Sequence, residues 1–438
     1  MKKGWKIMIV AVVIAVAAIV VVVVAGKTDK RLEALKGMQH FFEVRTESPM
    51  NQYLAYCYFE DLFYKKDMQL SGELYSDIGK LTVKTEVAGA IDKSNKMIKM
   101  TGNAGLGGIP FAQMELYSDD TNIYFASELF PDKLLKLDYT QDLYELGNRF
   151  GMNRKNTFIL QKGYIELFRM AVSHNKYEKV EELLKKKQLR EDLFQLYDHM
   201  KVQKQDNTDT LAGGYIYQIN FRRQDIEVFL QDLAIEYPEF EKGEYLNIVD
   251  KFVSEQKGIE ITEIVDANGF TREISVKNAE SGYELVLKRS EQEKEEKTGF
   301  ESTFSATVTN DGNAILNGEI SLDYSDTDKK FELTVREDET RISAVLSGMI
   351  DRDRKSGRVS IDTAQLQVQF RNWNAEMYGN TEIVFKDCDV ELPQGKQIDV
   401  LHGEREELQE VKLEILHNLK GVVGSAFRQF LSSLGFNL

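Results

Sequence analysis

Between residues 258 and 392 apolar side chains recur at every second position, in one short run after another. Ile259 and Ile261 open the series, and Ile274 with Val276, then Tyr283, Leu285 and Leu287, continue it. Phe300, Phe304, Ala306 and Val308 give a fourth run, and Ile320, Leu322 and Tyr324 a fifth. Phe331, Leu333 and Val335, then Ile342, Ala344 and Leu346, keep the same spacing. A period of two sends neighbouring side chains to opposite faces of a strand, so each run has one buried and one wet face. Turn signals such as Asn310-Asp311-Gly312 and Ser325-Asp326 separate the runs, which predicts an antiparallel meander. Val359 and Ile361 differ in phase from Leu366, Val368 and Phe370, so a bulge is expected near Ala364. Ile383, Phe385, Val390 and Leu392 are expected to close the sheet.

The same alternation marks residues 67–138, in Leu81, Val83 and Val87, in Ala112, Met114 and Leu116, and in Ile123 and Phe125. Helical spacing takes over elsewhere. Tyr53, Leu54, Cys57, Tyr58 and Leu62 give an apolar face to residues 51–66. Residues 155–204 read as helices, with Glu181 and Glu182 four positions before Lys185 and Lys186. One strand, Tyr215 to Phe221, is expected to interrupt this region, followed by helices over 225–236 and 244–256. A stripe of Leu408, Val411, Ile415, Leu419 and Val422 predicts a last helix over 404–434, buried against the sheet because its polar face is rich in Glu and poor in Lys.

At the N-terminus residues 7–25 form an uncharged run of Val, Ile and Ala. As a helix it would span about 28 Å, the thickness of a hydrocarbon core. Trp5 and Lys6 suit the interface, and Lys2, Lys3 and Lys6 form the charged head of an N-in signal anchor. The expectation is therefore a single-pass cell-membrane protein with its C-terminal domain outside the cytoplasm. A signal peptide cut before Gly26, after Val23 and Ala25, is the competing reading, although the apolar run is long for one. No Cys stands directly after the run, which argues against lipoprotein processing. The expected layout is an anchor (1–27), a helical juxtamembrane segment (28–66), antiparallel hairpins (67–138), a helical insertion with one strand (139–256), a β-meander (257–401) and a C-terminal helix (402–438). The fold class is α+β, a large curved antiparallel sheet carrying that insertion and helix.

The formal charge of -15 repels phosphate backbones and argues against nucleic acid as a partner. Gly102, Gly105, Gly107 and Gly108 lack the Lys-Ser/Thr of a phosphate-binding loop; Ile109-Pro110 follows, and a wide hairpin turn is expected. His40, His174, His199, His402 and His417 have no zinc-ligand spacing. No Gly-x-Ser-x-Gly, His-Glu-x-x-His or Ser-x-x-Lys motif occurs. Asp119-Asp120 and Asp351 with Asp353 read as solvated turn formers, and the charged run 291–297 as a solvated hairpin. These absences point to a chain with no catalytic residues, no metal site and no cofactor. Cys57 and Cys388 are the only thiols, and a disulfide between them would staple two distant parts of the chain.

The stretch from Ile91-Asp92-Lys93 to Met100, leading through a Gly-rich turn to Met114-Glu115-Leu116-Tyr117-Ser118-Asp119-Asp120-Thr121-Asn122-Ile123-Tyr124, resembles the hairpins of the LolA/LppX-like half-barrel lipoproteins. The layout as a whole is similar to membrane-anchored proteins of Gram-positive bacteria such as the clostridia. The resemblance implies a curved sheet able to hold a lipid or lipoprotein acyl chain in an apolar groove, and no ligand residue transfers with it. The function expected is that of a non-enzymatic binding or scaffolding protein of the cell envelope, with lipid, lipoprotein or an envelope protein as partner. A protein-interaction or sensory ectodomain without a small ligand is the alternative, and an envelope hydrolase the third reading.

Overall fold

The computed structural model describes residues 29–78, 81–106, 109–143, 145, 154–207, 213–236, 251–338, 341–370 and 373–418. The expected membrane span at 7–25 and the end of the last helix, 419–434, lie outside these residues. No helix among the described residues is long and apolar enough to cross a membrane. The chain is α+β and mostly sheet, with 18 strands among the described residues and several helices. It divides into two compact units, the first from Met1–Cys57, Tyr177–Leu346 and Val368–Asn374, the second from Tyr58–Lys176, Ser347–Gln367 and Ala375–Leu438.

In the first unit the strands pair in chain order, each antiparallel to the next, from Lys201–Asp206 through Tyr215–Phe221, Ile259–Val265, Thr271–Asn278, Tyr283–Glu293, Gly299–Asn310 and Asn313–Ser325 to Lys330–Glu337. From Ile259 to Val308 the apolar phase read from the sequence faces the helices. Ile259, Ile261, Ile274, Val276, Leu285 and Val308 are buried against Leu32, Leu35 and Met38 of the helix Lys30–Phe42 and against Leu189, Leu193 and Leu196 of Lys187–His199. Each such side chain contributes about 1.5–3 kcal/mol of burial. Asp29 starts the first helix by accepting from Arg31 N and Leu32 N, both at 3.0 Å.

One buried position breaks the apolar pattern. Glu263 shares the phase of Ile261 and Val265 and is fully buried. Its Oε1 accepts from the Thr271 hydroxyl at 2.6 Å, while its Oε2 has no hydrogen-bond partner among the described residues. A Cβ on Gly37 would lie 2.1 Å from Oε1, so any larger residue there would force this carboxyl to move. Burial pushes the group up to about 8.

The structure departs from the sequence expectations at several places. The end of the expected helical region, Lys201–Asp206, is a strand, so Tyr215–Phe221 has a hairpin partner and the insertion holds two strands. The expected helix over 51–66 is two helices, Pro49–Leu54 and Tyr56–Lys65, divided at Ala55, whose φ is +53°. Asn51 Oδ1 accepts from Cys57 N at 2.9 Å and so stabilises the break. The charged run 291–297 is not simply solvated, because Glu291 Oε1 accepts from Met50 N at 2.7 Å and Glu293 Oε1 from Tyr53 Oη at 2.8 Å. The bulge expected near Ala364 has its counterpart in Thr363, which adopts a φ of +50° inside the strand Arg358–Phe370.

In the second unit Met68–Ile78 is flanked by Trp373–Phe385 on one side and Leu81–Asp92 on the other. The ladder continues antiparallel through Met97–Leu106, Ile109–Ser118, Asn122–Ser127 and Lys133–Asp138. Its last strand is Lys396–Asp399, parallel to Lys133–Asp138, and not the segment at Val390 and Leu392 expected from the sequence. Gly102 and Gly105 lie within the strand Met97–Leu106 and not in the expected wide turn, and Gly107 and Gly108 lie outside the described residues. The helix at 405–418 docks as its stripe predicts, with Val411, Leu408 and Ile415 against Phe130, Leu135 and Ile398. Lys133 adds an ion pair to Glu414 at 2.6 Å.

Candidate functional site

The second unit carries a trough of about 710 Å³ on the face of its sheet. Cross-strand register explains its composition, because residues directly opposite each other project to the same side. The middle row runs Asn380, Glu73, Glu86, Asn103 and Gln113 across five strands. The row on one side of it runs Glu382, Ser71, Ala88, Thr101 and Glu115. The row on the other side begins Tyr378, Tyr75 and Lys84. Ser360 and Asp362 add to the lining. Rows are about 7 Å apart, the distance covered by two strand residues.

Glu73 and Glu86 stand opposite each other, a like-charge pair that needs a cation. Lys84 supplies it, with Nζ 2.9 Å from Glu73 Oε1 and 3.0 Å from Glu86 Oε1. The Lys84 hydrogen bond, then that from the Tyr75 hydroxyl, holds the Glu73 carboxyl below its ordinary range, and Lys84 is raised in turn. Tyr75 Oη donates to Glu73 Oε2 at 2.8 Å, which fixes its ring. That ring stacks on Tyr378, with centroids 5.6 Å apart and planes at 14°. Glu382 pairs with Arg358 at 3.5 Å. The strands Met68–Ile78 and Trp373–Phe385 pass so closely that a Cβ on Gly379 would lie 1.8 Å from Glu73 O.

The side chains of Ser71, Asn103, Ser360 and Asp362 have no hydrogen-bond or ion-pair partner among the described residues. Hydroxyl, amide and carboxylate groups with no partner among the described residues thus meet in one concavity, which can exchange hydrogen bonds with a polar ligand. No His or Cys is among the described residues that line the trough.

The sequence named no ligand residue, and the one specific pairing it raised is not formed. Cys57 and Cys388 are not joined by a disulfide. Cys57 Sγ lies 3.3 Å from Val44 O, and Cys388 Sγ 3.4 Å from Ile91 O. Burial and the nearby Asp67, Asp92, Asp389 and Asp387 push the Cys388 thiol up to about 11. Asp119 is the turn former expected, its Oδ1 accepting from Thr121 N at 2.9 Å and Asn122 N at 2.6 Å. Asp353 acts likewise, accepting from Lys355 N at 2.9 Å.

One cluster was not foreseen. Asp142, Asp399 and His402 bring a ligand atom each within 4.8 Å of one another, a set able to take a cation. Its groups already serve the fold. His402 Nε2 bonds Asp142 Oδ1 at 3.0 Å, and Asp399 Oδ1 accepts from Leu401 N at 2.9 Å and His402 N at 2.7 Å. Asp142 raises His402 above its ordinary value.

No family model matches the sequence, and no curated protein does. Among solved structures, the chain aligns with a porin-like protein from Bacteroides uniformis at 5% identity and a TM-score of 0.19, over 74% of this chain and 97% of the other. It also aligns with MucB in complex with MucA(peri), at 5% identity and a TM-score of 0.12, over 75% of this chain and 91% of the other. TM-scores this low do not mark a shared fold.

Proposed function

We propose that this chain is a membrane-tethered, extracytoplasmic binding protein without catalytic activity, and that the trough of the second unit is its ligand site. One observation supports it above all: Ser71, Asn103, and Ser360 with Asp362, drawn from three strands, offer to one concavity polar groups that have no partner among the described residues. The tether rests on residues 7–25 and the lysines before them, and a curved, half-barrel form of the sheet belongs to the same reading. The reading needs no metal and no cofactor. Native mass spectrometry of the full-length chain, extracted from its own host, tests it. A bound, water-soluble mass that Asp362→Ala releases is expected, and a bare protein from every gentle extraction would contradict it.

A second reading has its own observation. In the first unit Ile320 faces Val335 and Leu322 faces Leu333. Ile320 is 46% and Val335 37% exposed, an apolar stretch of sheet suited to a lipid acyl chain or to an envelope protein. A lipid-sized mass that survives Asp362→Ala would favour it.

A further inference from the structure

The ligand class follows from the composition of the trough and rests on the binding reading above. We infer that the trough binds a carbohydrate chain carrying no net negative charge. Sugar hydroxyls both donate and accept, and neighbouring hydroxyls match the paired oxygens of a carboxylate or the O and N of an amide. The middle row supplies such planar groups side by side, from Asn380 through Glu73, Glu86 and Asn103 to Gln113. Five strands about 4.8 Å apart make that row about 19 Å long, enough for several pyranose rings.

An aromatic surface stands beside this row. Tyr378 is 39% exposed, is backed by the stacked ring of Tyr75, and lies two residues along the strand from Asn380. The C–H face of a pyranose is apolar and packs on such a ring, while its hydroxyls reach the adjacent amide and carboxylate. Charge narrows the class further. Among the described residues Glu73, Glu86, Asp362 and Glu382 have only Lys84 and Arg358 as cationic partners, so a uronate or phosphate-bearing chain meets a net negative wall. An extended peptide fits less well. Peptides laid on a sheet bind through a free strand edge, whereas Met68–Ile78, Leu81–Asp92 and Met97–Leu106 are each paired on both sides.

The test is calorimetric titration of the full-length chain in a zwitterionic detergent, which avoids the competing sugar of a maltoside. The probes are chitohexaose, cellohexaose, hexagalacturonate, spermine and trilysine. A neutral hexasaccharide is expected to bind and hexagalacturonate to fail. Tyr378→Ala should weaken the saccharide about tenfold, the upper range for one aromatic contact, while Tyr378→Phe stays within about twofold. Asp362→Ala removes an exposed carboxylate with no partner among the described residues and should weaken binding with an unchanged circular dichroism spectrum, so loss of fold is not the cause. Saccharide binding indifferent to both Tyr378→Ala and Asp362→Ala overturns the inference. Binding of spermine or trilysine alone, lost in Asp362→Ala, overturns the carbohydrate class and leaves the trough as a binding site. If no probe binds, the carbohydrate class falls, whereas the binding reading falls only with the mass measurement above.

Discussion

Glu263→Gln isolates the buried carboxyl beneath the first helix. The ordinary value of the group is 4.5 and burial in the fold raises it to about 8. A carboxyl raised on folding favours the folded state fully below its unfolded value, and that advantage is lost as pH rises towards the folded value. The loss is about 1.4 kcal/mol per pH unit, so between about pH 5.5 and 7.5 this one group removes about 2.5 kcal/mol. Glutamine keeps an oxygen for the Thr271 hydroxyl, and its amide adds a penalty of about 1–3 kcal/mol that does not vary with pH. Hydrogen exchange read by mass spectrometry on peptides covering Ile259–Val265 measures the local opening, and comparison at equal pH cancels the intrinsic exchange rate. Protection in the variant, relative to the native chain, should rise about a hundredfold across that interval. A ratio that stays constant from about pH 5.5 to 7.5 would falsify the assignment of a neutral Glu263.

Other perturbations probe the second unit and the thiols. Gly379→Ala forces a Cβ into Glu73 O and should cost about 1–3 kcal/mol in a denaturant titration, whereas Gly102→Ala, which meets nothing within 4 Å, should cost under about 1 kcal/mol. His402 should titrate above the ordinary histidine value by NMR, and Asp142→Asn should lower its midpoint. Because its value rises on folding, His402 favours the fold at low pH and ceases to as pH passes its folded value; an unchanged midpoint in Asp142→Asn refutes the pairing. Non-reducing digestion should recover Cys57 and Cys388 as separate thiols, with Cys388 alkylating slowly at neutral pH because its thiol is raised to about 11. A Cys57–Cys388 peptide would contradict the structure.

Most of the strands could be read from the sequence because one wet and one dry face impose a period of two, as in Leu285 and Leu287 against Glu284 and Lys288. The exceptions have physical reasons. Lys201–Asp206 has Val202 as its only apolar residue, and Lys396–Asp399 is four residues long, so neither carries a detectable period. The break at Ala55 depends on an Asn51 side chain reaching Cys57 N, which no periodicity reports. Glu263 was legible in part, since the phase of Ile259, Ile261 and Val265 already directs it inward. The trough was not. Glu73, Glu86 and Asn380 read individually as the solvated face of ordinary strands, and only the register that sets residue 73 beside 380 turns them into a site.

Hydroxyl-radical footprinting of the intact protein tests the central claim most directly, once in its own membrane and again after washing with chaotrope and refolding. If the trough is the binding site, Tyr378 is shielded in the membrane and oxidised after washing, while Ile320 and Val335 react equally in both. Shielding of Ile320 and Val335 with Tyr378 open throughout would contradict the account and move the site to the apolar sheet of the first unit.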